Sequence, residues 1–366
     1  MKEQSDTTVA MRRRMPAEWE QQEAVWVSWP LNPVTWPTRM QSVWNSMSSM
    51  VSALSRHAKV WINADPARVD AIRRLLESEG GIVMDQIRFS GVPTNDAWCR
   101  DHGATLVQDL ESGRLCGLDW DFNAWGDKYQ PWDDDNRVAS AMSALLGFSV
   151  ERSPFRGEGG GLEVNGAGML LLTRSVWLNP NRNPGVTAPS IEAWMKPRLG
   201  VDQVFWFERG MEQDDTDGHV DMVCRFVSPN ALVLAVERNP RGLQYRAMQE
   251  LREQAENIRM PGGGHPDLLP LPLPDAVYGE DGRILPATYA NFLPVNGLVL
   301  VPQYGQERND ANAMGILGEC FPGKELVGVD CRDFIREGGA IHCLTQQQPS
   351  VRSEKKGLIR ESTGGF

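Results

Sequence analysis

Six cysteines and five histidines supply the nucleophiles and proton carriers of this 366-residue chain. The cysteines at 99, 116, 224, 320, 331 and 343 form no CxxC pair and no zinc-finger spacing, so each defaults to a small buried hydrophobe. Cys343 rises above that default through its setting. In Glu337-Gly-Gly-Ala-Ile-His-Cys-Leu-Thr-Gln it follows two glycines that allow a sharp turn, on a run from Ala340 to Thr345 that reads as a short apolar strand. A thiol there can be presented to a pocket. Side chains alternate along a strand, so an extended segment would point His342 and Cys343 to opposite faces. The base for Cys343 must then come from His57, His102, His219 or His265.

His57 ends a helical pattern and reads as a cap, and His265 sits in Gly-Gly-Gly-His-Pro. His219 differs. In Asp214-Asp-Thr-Asp-Gly-His-Val-Asp it stands two residues before Asp221, at the start of an expected strand Val220 to Phe226, so the two face the same way. An imidazole beside a carboxylate has a raised pKa and a fixed orientation, which suits a general acid/base. The same cluster permits a second chemistry, in which Asp217, His219 and Asp221 ligate a divalent ion for a metal-dependent amidohydrolase. Asp96 and Asp101 come from the polar loop Thr94 to Gly103, and Glu158 from a glycine-rich turn. One thiol, one imidazole and several carboxylates suit a planar cation. Carboxylates bind a guanidinium in bidentate fashion, and the cation would favour the thiolate. Attack on the guanidinium carbon would expel ammonia, and water would then hydrolyse the amidino-thioether.

The elements that must position these residues follow from hydrophobic periodicity. Ala24 to Trp29, Lys59 to Asn63 and Met169 to Leu172 read as buried strands. Gln41 to His57 carries Val43, Met47, Met50, Val51 and Leu54 at helical spacing, and Asp65-Pro66 starts a second helix. Further helices are expected near 136–146, 190–196, 241–256 and 310–320. Asp119 to Asp135 and the proline-rich Pro261 to Pro274 read as long loops. Glu158-Gly-Gly and Glu337-Gly-Gly each precede an apolar strand, which suggests a small mixed unit repeated around an axis. Residues 1–14 and 351–366 read as polar tails around a single domain at 15–350.

Composition narrows the partners. A net charge of −11 argues against nucleic acid and anionic membrane, and 41% hydrophobic content supplies a sizeable core. No signal-like or membrane-spanning run is present, so a cytoplasmic protein is expected.

Several motifs taken together resemble the agmatine deiminase family, the group that includes bacterial-type peptidyl-arginine deiminases. They are Met15-Pro-Ala-Glu-Trp, Asn95-Asp-Ala-Trp-Cys-Arg-Asp-His-Gly, Gly117-Leu-Asp-Trp-Asp-Phe-Asn-Ala-Trp-Gly, Glu158-Gly-Gly, Leu178-Asn-Pro-Asn-Arg-Asn-Pro, Asp215-Thr-Asp-Gly-His-Val-Asp, Gly338-Gly-Ala-Ile-His-Cys and Thr345-Gln-Gln-Gln-Pro. The resemblance runs from about Met15 to Pro349. It implies an α/β pentein fold, a five-bladed propeller with pseudo-fivefold symmetry. It implies Cys343 as nucleophile, His219 as acid/base, Asp101 and Asp221 as guanidinium ligands, and Glu158 as the acid orienting the histidine. Asp96 and Trp98 would line the entrance, with Trp125 beside them, and Asn291 would stand near the nucleophile. The family implies no metal, no organic cofactor, a small cationic guanidino substrate and a homo-oligomer. His102, Ala104, Pro180, Met222 and Asn165 to Gly168 depart from the family pattern and bear on the substrate. Peptidyl-arginine or another small guanidino compound is the alternative substrate, and an amidinotransferase the alternative reaction.

Overall fold

Strands buried along nearly their whole length, such as Met169–Thr173 and Leu298–Gln303, need cover on both faces. The computed structural model, which describes residues 12–351, provides that cover by repeating one unit. An antiparallel strand pair leads into a helix, and a third strand returns parallel to the second. Thr105–Asp109, Leu115–Asp119, helix Asp135–Leu146 and Ser149–Arg152 form the first such unit. The second comprises Glu163–Val164, Met169–Thr173, helix Ala188–Leu199 and Gln203–Phe207. Cys224–Ser228, Ala231–Val236, helix Tyr245–Ala255 and Asp267–Pro272 make the third. Leu293–Val295, Leu298–Gln303, helix Glu307–Cys320 and Glu325–Asp330 make the fourth.

The fifth sheet joins the two ends of the described chain. Thr345–Pro349 pairs antiparallel with Gln22–Ser28, which runs through helix Met40–Ser55 into the parallel strand Lys59–Asn63. The expected helical positions Val43, Met47, Met50, Val51 and Leu54 are all buried against this sheet system. Helix Pro66–Glu79 starts as its sequence dictates, with the Asp65 carboxylate accepting from Ala67 N at 2.8 Å, and adds Ile87–Phe89 at the edge. Among the described residues no helix is long and apolar enough to cross a membrane.

Four local expectations change. The tail expected over 1–14 is shorter, because Arg13–Arg14 pairs with Gln108 and Asp109 as an edge strand. Arg13 is buried, and its Nη1 donates to Glu151 Oε2 at 2.6 Å. Residues 1–11 and the expected tail beyond Val351 lie outside the described residues. The proline-rich run is not wholly a loop. Asp267–Pro272 forms a strand at the sheet edge, where Pro270 and Pro272 can be accommodated. Val220 to Phe226 divides into a 3₁₀ turn at Val220–Met222 and a strand at Cys224–Ser228. Ala340 to Thr345 is likewise a turn, and the strand begins only at Thr345. Both errors have one cause: apolar composition marks burial, and these buried residues belong to the turn that enters the first strand of a unit.

Leu300, fully buried in the central strand of the fourth unit, reports on the packing. Leu300→Ala is expected to cost about 2–5 kcal/mol in urea unfolding. A loss below about 1 kcal/mol would contradict the close packing described here.

Candidate active site

The residues that sequence analysis singled out occupy equivalent positions in the repeat. Asp101 precedes Thr105, Gly159–Gly161 precedes Glu163, His219 and Asp221 precede Cys224, Asn291 precedes Leu293, and Cys343 precedes Thr345. Each unit contributes the turn before its first strand, and these turns meet.

Asn291 organises the turn that bears the thiol. Its Oδ1 accepts from the backbone N–H groups of His342 at 3.0 Å and Cys343 at 3.3 Å, and its Nδ2 lies 3.1 Å from Cys343 Sγ. Arg100 N donates to Cys343 O at 3.1 Å, tying this turn to the one carrying Asp101. Asp221 Oδ2 stands 3.8 Å from the sulfur. Burial, then Asp221 and Asp101, push the Cys343 thiol well above its ordinary range. A positive charge placed among these carboxylates would act in the opposite sense.

His219 is fully buried, with Nε2 3.3 Å from Glu158 Oε2 and Nδ1 3.8 Å from Asp101 Oδ1. Burial opposes its charging, but Asp101, Glu158 and Asp221 outweigh that and lift its pKa to about 9. Glu158 is itself anchored by Arg182, whose Nε donates to its two oxygens at 2.8 and 2.9 Å. Burial works against the Glu158 carboxylate, yet Arg182 and His219 hold it below the usual range. Asp101 accepts from Trp125 Nε1 at 3.0 Å and from Gly160 N at 3.0 Å. Burial, reinforced by Asp221 and Glu158 and opposed by His219, raises its pKa to about 6. Trp125 reaches Asp101 from a loop in left-handed backbone, with φ of 56°, a conformation a bulky side chain rarely adopts.

Two buried polar atoms in this cluster, His219 Nδ1 and Asp221 Oδ1, have no hydrogen-bond partner among the described residues. Buried polar atoms are nearly always paired, so these are the natural contacts for a bound group. A guanidinium could satisfy Asp221 Oδ1 directly.

A narrow cleft opens onto Cys343 and Asp101. Trp98, Trp125 and Tyr129 wall it, with Asp215, Thr216, Glu337, Gly338 and Gly339 completing the lining. Trp98 packs so closely on Gly339 that a Cβ there would lie 2.4 Å from its ring, so only glycine is tolerated. Glu337 has a pKa raised to about 7 by burial and by the neighbouring charges of Asp96 and Asp215. Asp96 sits outside the lining, correcting the expectation that it borders the entrance. Its Oδ2 accepts from Thr35 Oγ1 at 2.9 Å and its Oδ1 from Ala97 N at 2.8 Å. Tyr129 and Asp215 were missed; they lie in a loop and a turn whose composition carries no periodic signal.

His342 is the largest correction. Because the segment is a turn, His342 and Cys343 do not diverge: His342 Nδ1 lies 2.6 Å from the same Asp221 oxygen that neighbours the sulfur. Of the other histidines, His102 is buried against Ser28 at 2.8 Å, and His57 pairs with Glu325 at 3.0 Å. Asp217, one ligand of the metal alternative, faces Arg182 Nη1 at 2.6 Å and Lys128 Nζ at 2.8 Å. Those cations already neutralise it, so the alternative loses a ligand.

The class that emerges is an α/β protein with a buried thiol, a charged imidazole and carboxylates gathered at one end of repeated units. The model of the Porphyromonas-type peptidyl-arginine deiminase family matches residues 14–349, and the chain belongs to that family. The agmatine deiminase of Pseudomonas fluorescens is 35% identical, the match covering 92% of this chain and 95% of that protein. The solved agmatine deiminase of Enterococcus faecalis superposes with a TM-score of 0.86 at 31% identity, over 93% of this chain and 96% of that one. A substrate-bound agmatine deiminase from C. jejuni gives a TM-score of 0.83 at 30% identity, covering 93% and 97%.

Gly160 tests the geometry. A Cβ there would stand 2.6 Å from His219 Nδ1 and 2.9 Å from Asp101 Oδ1. Gly160→Ala should lower kcat/KM by about 10²-fold, the effect of displacing reacting groups by around an ångström. Circular dichroism should show the fold retained. Unchanged turnover would mean that these groups do not act together.

Proposed function

We propose that the chain is an agmatine deiminase, converting agmatine and water to N-carbamoylputrescine and ammonia, with residues 15–350 acting as one catalytic domain. One observation carries the reading: carboxylates stand at both ends of the cleft, and among the described residues no arginine lines it. Asp101 and Asp221 sit by the thiol, while Asp215 and Glu337 sit at the mouth between the aromatic walls. Agmatine is a cation at both ends and has no carboxylate. The arginines that could read a carboxylate are engaged elsewhere. Arg182 holds Glu158, Arg100 holds Glu18, and Arg156 holds Asp121. Arg283, near enough to Asp215 to feel its charge, is paired with Asp281 at 2.5 Å.

Asp101 and Asp221 take the guanidinium N–H groups and hold the central carbon over Cys343. The bound cation offsets the carboxylates that oppose ionisation of the thiol. The thiolate adds to the carbon, and the tetrahedral adduct collapses as His219 gives a proton to the departing ammonia. A water deprotonated by His219 then adds to the amidino-thioether, and collapse returns the thiolate and releases the ureido product. Glu158, held by Arg182, keeps His219 oriented and charged. Asn291 fixes the turn and Trp98 packs beside the thiol.

On this reading the repeated units are the five blades of a propeller around a pseudo-fivefold axis. The expectations of a cytoplasmic homo-oligomer that uses neither metal nor organic cofactor go with it.

The substrate is decided by kcat/KM for agmatine, free arginine and a peptide with C-terminal arginine. Agmatine should lead by at least about 10²-fold, the scale of a buried charge contact. A covalent adduct should map to the peptide containing Cys343, and Cys343→Ala should abolish ammonia release. Equal turnover of the peptide would replace agmatine with peptidyl-arginine and leave the chemistry standing. An adduct on Cys99 or Cys224 would remove the nucleophile assignment.

The pH dependence has a defined sign. Asp101 must be ionised to bind the cation, so kcat/KM should fall as pH drops through about 6. His219 must be protonated to serve as acid, so it should fall again as pH rises through about 9. A profile flat from pH 5 to 10 is the result that would exclude these two as the titrating pair.

A further inference from the structure

The charged groups behind Asp221 take part in none of these steps. His342 Nδ1 lies 2.6 Å from Asp221 Oδ2, and the opposite ring nitrogen, Nε2, lies 2.8 Å from Glu18 Oε1. All three side chains are buried. Glu18 also accepts from Arg100 Nη1 at 3.0 Å and from Arg225 Nη2 at 2.5 Å, and Arg225 Nε donates to Glu163 at 2.7 Å.

Contacts to carboxylates at both ring nitrogens fix a proton count. An imidazole with one N–H can donate to only one carboxylate, which would leave two acceptors face to face at the other contact. The row Asp221–His342–Glu18 therefore holds two protons and a net charge of −1. Arg100 and Arg225 favour an ionised Glu18, but burial and the same two arginines lower the pKa of the ring against the pull of Glu18 and Asp221. The contacts at both ring nitrogens, not the ring's own basicity, keep two protons in the row. Asp221 shows a matching asymmetry. Its Oδ2 takes His342 and Asn291 Nδ2, the latter at 3.3 Å, while its buried Oδ1 has no partner among the described residues.

We propose that His342 and Glu18 are positioning residues for Asp221. The ring, held by Glu18, ties down one carboxylate oxygen and leaves the other to take an N–H of the guanidinium. The proposal rests on the reading of Asp221 as a guanidinium ligand. It gives a function to the histidine beside the nucleophile, which is not itself among the residues lining the cleft. It also gives one to Glu18, more than three hundred residues away in sequence.

The test uses the full chain with agmatine. His342→Leu removes the donor to Asp221, whereas His342→Asn keeps one near the Nδ1 position. KM should rise by about tenfold or more in His342→Leu, the scale of one hydrogen bond to a charged group, with a smaller change in kcat. His342→Asn should recover most of that loss. Glu18→Gln should also raise KM, because a ring with one carboxylate partner is held less firmly against Asp221. Equal KM values for folded His342→Leu and His342→Asn overturn the proposal. So does an unchanged KM in folded Glu18→Gln; should that variant not fold, the His342 pair decides. Asp221→Asn separates the two readings. If it turns over agmatine normally, the role of Asp221 falls and the positioning with it. If it is impaired while His342→Leu is not, the positioning alone falls.

Discussion

A surplus of buried negative charge around one thiol is the constraint on which the rest of the structure depends. Asp101, Glu158, Asp221 and Glu18 are all buried, the first two against His219 and the last two against His342. A buried carboxylate without a partner costs several kcal/mol, and like charges in one site raise each other's pKa. Each must therefore be matched. Arg182 is committed to Glu158, Arg100 and Arg225 to Glu18, and His342 to Asp221. Asp101 is matched least well: an indole N–H, a backbone N–H and a histidine at 3.8 Å leave its pKa raised to about 6. Asp221 Oδ1 has no hydrogen-bond partner among the described residues, and on the proposed reading the substrate's cation supplies both the counter-charge and that hydrogen bond.

This arrangement needs precise placement of groups that are far apart in sequence, and the repeated unit supplies it. Every unit enters its first strand through a buried turn, and all the central polar groups are carried on those turns or immediately beside them. Sheets anchor the turns because their inner strands, such as Met169–Thr173 and Leu298–Gln303, are apolar and covered on both faces. Where side chains would obstruct the approach, glycine stands instead: Gly160 lets His219, Asp101 and Asp221 converge, and Gly339 admits Trp98 against the turn bearing Cys343. The pairing of Thr345–Pro349 with Gln22–Ser28 gives the strand after Cys343 its partner from the other end of the described chain. That pairing also brings Glu18 within reach of His342.

The same ion pairs bear on which substrate fits. An arginine used to fix a catalytic carboxylate cannot also bind a substrate carboxylate, because its planar donors are spent in the first role. Arg182 is the clearest case, with Nε on Glu158, Nη1 on Asp217 and Nη2 on Thr216 O. What remains at the mouth is acidic and aromatic. A second cation is favoured there and an anion opposed.

Much of this was legible in the amino-acid order. The helical spacing of Val43, Met47, Met50, Val51 and Leu54, and the Asp65-Pro66 helix start, are local features, and they appear in the fold as read. The pairs His219/Asp221 and Glu158-Gly-Gly, and the apolar strands after them, could be read because motif and strand adjoin in sequence. Other features depended on tertiary context. Whether Ala340 to Thr345 is strand or turn is undetermined by apolar composition, since both are buried; packing against Asn291 decides it, and with it the direction in which His342 points. Asp96 carries a promising motif but spends its oxygens on Thr35 and its own loop. Tyr129 and Asp215 become wall and mouth only when two units meet. Residue types and local spacing determined that this chain holds a thiol, an imidazole and carboxylates suited to a cation. Which carboxylates share a cleft, and which cations are already spent neutralising them, was decided by the fold alone, because burial and Coulomb interaction depend on distance through space.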